Sequence, residues 1–109
     1  MDHRYTENDI EAFAHDPEGH YFDRKSARKD TDEIAKHVMA FANAAGGKLV
    51  VGIEDDGAVT GFKRDKAHSI ESFEQVHITA LTPPPHVTNN RVGVINVNGE
   101  DDQVLIMEV

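Results

Sequence analysis

The chain has no cysteine, which excludes a disulfide framework, a thiolate nucleophile and a thiolate zinc site. It also has no apolar run near the ~20 residues a membrane helix needs. The acidic, polar N-terminal stretch has none of the pattern of a secretory signal peptide. A cytoplasmic protein without membrane contact is therefore expected. Base is scarce: 11 Lys and Arg face 20 Asp and Glu, for a net charge of −9. That balance repels a polyanion, so the domain-wide charge argues against nucleic acid. There is no Walker sequence to support ATP binding and no Gly-x-Ser-x-Gly nucleophile motif. The histidines at 3, 15, 20, 37, 68, 77 and 86 have no paired ligand spacing. His77 is expected as a satisfied, partly buried helix residue, and His37 as a solvated one.

The base that is present is clustered. Arg24, Lys25, Arg28 and Lys29 lie in a stretch without acids, and Lys63, Arg64 and Lys66 form a second group. Either these are solvated loop charges, or they are phosphate contacts.

At 109 residues the chain is long enough for one domain with one core. Thr6 to Asp9 opens a short first helix over 6–14, with Ile10, Phe13 and Ala14 at helical spacing. His20 to Ser26 alternates as a strand. A second helix starts at Asp30 or Thr31, with Glu33 completing a capping box, and lines Ile34, Val38, Phe41 and Ala45 on one face. Gly46-Gly47 ends it. Lys48 to Glu54 reads as a strand covered on both sides, Asp56-Gly57 as a hairpin turn, and Ala58 to Phe62 as the return strand. A third helix is expected over 66–81, with Ile70, Phe73, Val76 or His77, and Leu81 facing inward, stopped by Pro83, Pro84 and Pro85. Val92 to Asn98 and Gln103 to Val109 make a last pair of strands. The order α-β-α-β-β-α-β-β predicts an α/β or α+β domain, with helices packed on a mixed sheet. The apolar end, Val104 to Val109, suggests a module of a longer protein or a strand completed by another subunit.

Three stretches carry a resemblance to a known family: Glu18 with Asp23-Arg24-Lys25; Phe41-Ala42-Asn43 with Gly46-Gly47; and Gly52-Ile53 with Asp55-Asp56-Gly57 and Gly61. Over residues 15–62 the chain resembles the AlbA-type domain of Schlafen proteins and microbial regulators. The resemblance implies an AlbA-like single domain over 1–109 and a DNA- or RNA-binding regulatory role. It also implies a homodimer. In nuclease-active relatives, acids resembling Glu18, Asp23 and Asp55 bind a divalent metal. A Mg²⁺- or Mn²⁺-dependent ribonuclease using those three is thus an alternative; otherwise no cofactor is expected. Two positions depart from the family pattern. Asp23 stands where Glu is usual, and Arg24 stands where an apolar residue packs inward.

The leading expectation is phosphate contact through Arg24, Lys25, Arg28, Lys29, Lys63, Arg64 and Lys66, without base readout. A third reading is a protein-interaction or dimerisation module that exposes Val104 to Val109 as an apolar edge and ignores nucleic acid.

Overall fold

Leu49, Val50 and Val51 are all fully buried, as a near-continuous apolar run requires when both faces of its strand are covered. The computed structural model describes residues 5–18, 21–81 and 83–109. The elements run α1 (Glu7–His15), β1 (Phe22–Lys25), α2 (Thr31–Asn43), β2 (Lys48–Val51), α3 (Ile70–Glu74), α4 (Val76–Thr79), β3 (Thr88–Ile95) and β4 (Asp101–Glu108). One four-stranded mixed sheet has the order β1-β2-β4-β3. β1 is parallel to β2, with Asp23 opposite Leu49, and the other two pairings are antiparallel. This is the α+β arrangement expected from the sequence.

Side-chain alternation along the strands divides the core in two. Leu49, Val51, Leu105 and Met107 face α2, α3 and α4. Val50, Val92, Val94, Val104 and Ile106 face α1 and the turn around Ile53. Thr6 caps α1, its N–H donating to Asp9 at 2.7 Å. Asp30 caps α2 by accepting from the Asp32 N–H at 2.9 Å. Glu33 reaches Lys29 instead of completing a box. Gly46 has φ +92°, and a Cβ there would lie 2.6 Å from the Val109 carbonyl. The double glycine therefore stops the helix and lets the chain end pass close by.

Further expectations change, and the strand expected over 92–98 runs Thr88–Ile95. The return strand at 58–62 shrinks to one bridge, Ile53 to Val59, because the N–H groups of Thr60 and Gly61 both turn back to the Gly52 carbonyl. The helix over 66–81 becomes two short ones beginning at Ile70. Its expected first turn is diverted: Lys66 has φ +65°, and the His68 N–H bonds the Ala27 carbonyl. The first strand starts at Phe22, and His20 lies outside the described residues. Val104 to Val109 is no open edge: β4 lies between β2 and β3, with Val104 to Met107 fully buried. Its apolarity reflects a central position, which the sequence could not distinguish from an unfinished one.

Candidate nucleic-acid interface

The two basic groups, far apart in sequence, meet in space. β1 leads into a tight turn in which the Lys29 N–H bonds the Ser26 carbonyl, and the Ser26 hydroxyl accepts from the Arg28 N–H at 3.1 Å. Ala27, at the centre of that turn, is fully buried and anchors it. From the other side, His68 donates its N–H to Ala27 O at 2.9 Å. The Arg28 guanidinium donates from Nε to Asp65 O at 2.7 Å. Residues 26–29 and 63–68 thus form one continuous surface.

On that surface Arg28, Lys29, Lys63 and Lys66 are exposed. Lys29 lies 3.8 Å from Glu33. Arg28, Lys63 and Lys66 enter no ion pair among the described residues. Arg64 is turned aside, its guanidinium 2.9 Å from Glu54. Lys25 is half-buried and 3.4 Å from Asp23.

Arg24 has a different part. Only 8% exposed, it lies on the opposite face of β1 and donates to the carbonyls of Phe13 at 3.0 Å and Asp16 at 2.6 Å. Its guanidinium sits 5.6 Å from the Phe22 ring centre. The charge at the inward-packing position ties the end of α1 to the sheet, so Arg24 is removed from the phosphate surface.

Asp102, one residue before the strand expected from Gln103, lies within β4 and is a site residue that the spacing does not single out. It is 8% exposed and its carboxylate accepts from four groups: Phe62 N–H at 2.9 Å, Lys63 N–H at 3.0 Å, Asn96 Nδ2 at 2.9 Å and Gln103 N–H at 2.7 Å. It holds the Lys63 segment onto the end of β4. Gly61, with φ +64°, sits directly against that carboxylate, with no room for a Cβ. The available signal was period two, since Asp102 shares a strand face with Val104 and Ile106.

Of the three acids, two converge. Glu18 lies before β1, and its carboxylate accepts the Arg24 N–H at 2.9 Å while Asp23 accepts the same N–H at 2.8 Å. His37, expected as solvated, places Nδ1 3.3 Å from Asp23. His77 keeps a buried Nδ1 without a partner among the described residues. Asp55 stays in the exposed turn after Ile53. Among the described residues, no three His, Cys, Asp or Glu side chains gather to hold a metal ion. Asp23 is instead met by Lys25 and His37, and Asp55 lies in the turn after Ile53.

The Glu18 carboxyl is raised above its ordinary value, mainly by its hydrogen bond with Asp23 and then by burial; the Arg24 N–H opposes both. A carboxyl raised on folding contributes stability below its unfolded value of about 4.3, and that contribution is lost as pH climbs through the folded value. Glu18→Gln, neutral at every pH and still an acceptor for Arg24, is expected to raise the melting temperature at pH 7. The gain should vanish below about pH 4. Thermal melts at both pH values check this, and a lowered melting temperature at pH 7 would refute it.

Among the described residues no helix is long and apolar enough to cross a membrane. Residues 18–109 match a family model described as Schlafen, AlbA_2.

Proposed function

Because this chain belongs to the Schlafen AlbA_2 family, we propose that it is a nucleic-acid-binding regulatory module that grips phosphates through Arg28, Lys29, Lys63 and Lys66. The observation that carries this reading is the joining of the two basic turns by Arg28 to Asp65 and His68 to Ala27. It concentrates cation locally on a chain of net charge −9, which is what binding a polyanion requires. The side chains are long and exposed, so they suit phosphate oxygens and carry no base code. About three or four phosphate contacts predict a slope of roughly −2 to −4 in log affinity against log salt. The affinity should lie in the non-specific range of ~10⁻⁴ to 10⁻⁶ M.

Fluorescence anisotropy with labelled single-stranded RNA and duplex DNA, titrated at two salt concentrations, tests the reading. Arg28→Ala combined with Lys66→Ala is expected to weaken binding about tenfold or more and to flatten the salt slope by roughly 2. Salt-independent binding, or none at low salt, would overturn it. Mn²⁺-dependent cleavage lost in Asp23→Asn would overturn its non-catalytic character.

A further inference from the structure

We propose that the outer edge of β3 pairs antiparallel with the same edge of a second copy, across a two-fold axis at Val92, to form one continuous sheet. The sheet has two outer strands, β1 and β3, and they are treated differently. On β1 the outward N–H of Arg24 is taken by the carboxylates of Glu18 and Asp23, so the chain itself occupies that donor.

On β3 the bonding phase follows from the turn. Asn96 N–H bonds Glu100 O and Ile95 faces Asp101. Inward and outward residues then alternate: Thr88, Asn90, Val92 and Val94 bond β4, while Asn89, Arg91, Gly93 and Ile95 turn N–H and C=O outward. The Ile95 N–H meets Glu7 at 3.4 Å. Among the described residues, the outward N–H groups of Asn89, Arg91 and Gly93 have no partner. Edges are usually guarded by Lys, Pro or inward charges. β3 (Thr-Asn-Asn-Arg-Val-Gly-Val-Ile) has Arg91 as its one charged residue, and Glu74 already neutralises it through two bonds of 2.8 and 2.5 Å.

The partner is a second copy because the strand complements itself about Val92. An axis at Arg91 would set two guanidinium groups directly opposite, which is unfavourable. An axis at Gly93 would oppose two residues without side chains. An axis at Val92 places Arg91 opposite the partner's Gly93, where a Cβ would meet no heavy atom within 4 Å. The Arg91 stem fits that open space. The same register lays Ile95, 52% exposed, against the partner's Asn89.

The cysteine-free sequence allows a direct test. Sedimentation equilibrium of the full chain should give twice the 12.1 kDa chain mass. Gly93→Pro, which removes an outward N–H, and Ile95→Lys should each halve that mass with an unchanged circular dichroism spectrum. Under mild oxidation Val92→Cys should cross-link to itself. A mixture of Arg91→Cys and Gly93→Cys should cross-link to each other faster than either does alone. That mixture keeps the test decisive if Val92→Cys fails to fold. A monomer at every concentration would overturn the proposal, as would a dimer indifferent to both Gly93→Pro and Ile95→Lys, or cross-linking in another register.

Discussion

Asp102→Ala is expected to reduce the unfolding free energy by about 3 kcal/mol and the melting temperature by roughly 10–20 °C. The carboxylate is buried and holds Phe62, Lys63, Asn96 and Gln103. Its removal strands four donors, of which Asn96 Nδ2 is buried and the other three part-buried, at about 1–3 kcal/mol for each that water does not reach. Burial pushes this carboxyl upward, but the hydrogen bonds from Asn96, Phe62, Gln103 and Lys63 outweigh it and hold the group below its ordinary value. A depressed carboxyl contributes stability above its unfolded value of about 3.9, and loses it as pH falls through the folded value. The difference between wild type and Asp102→Ala should therefore be constant near neutrality and shrink in acid. Denaturant melts at pH 7 and pH 3 measure it. Asp102→Asn, which keeps the shape and one acceptor, should fall between the two. An Asp102→Ala chain as stable as wild type would show that the loop needs no anchor.

Arg24 and Arg28 are expected to separate stability from binding, although they lie four positions apart. Arg24→Ala should cost about 2–3 kcal/mol, since it removes the part-buried bonds to the carbonyls of Phe13 and Asp16 and empties space beside Phe22. Nucleic-acid affinity per folded molecule should not change. Arg28→Ala should cost under about 1 kcal/mol, because its side chain is exposed, yet weaken binding severalfold. Chemical denaturation and anisotropy on the same two proteins decide the matter. If Arg24→Ala weakens binding while leaving stability intact, the assignment of the two residues is reversed.

Regularly patterned features were legible in the sequence. The apolar stripe of α2, its Asp30 cap, the double-glycine stop and the buried run of β2 follow from local spacing and backbone freedom. The family motifs between Glu18 and Gly61 lie on these same elements, which is why resemblance and periodicity agreed on the fold. The third helix was not legible in its first turn. Residues 66–69 have helical spacing, but Lys66 takes a positive φ and the His68 N–H is used for a bond to the turn after β1.

The site followed the same division. Composition and clustering identified Arg28, Lys29, Lys63 and Lys66 as candidates, since charge density along a chain is a local property. Which of seven bases faces solvent was decided only by the tertiary structure, because that depends on partners distant in sequence. Arg24 is claimed by carbonyls of α1, Arg64 by Glu54, and Lys25 shares Asp23 with His37. Asp102 became an anchor because β4 carries it to donors some 40 positions away. Val104 to Val109 looked unfinished because an apolar strand reads the same at an edge or a centre. Strand order, which local sequence does not encode, placed it in the middle and left β3 outside.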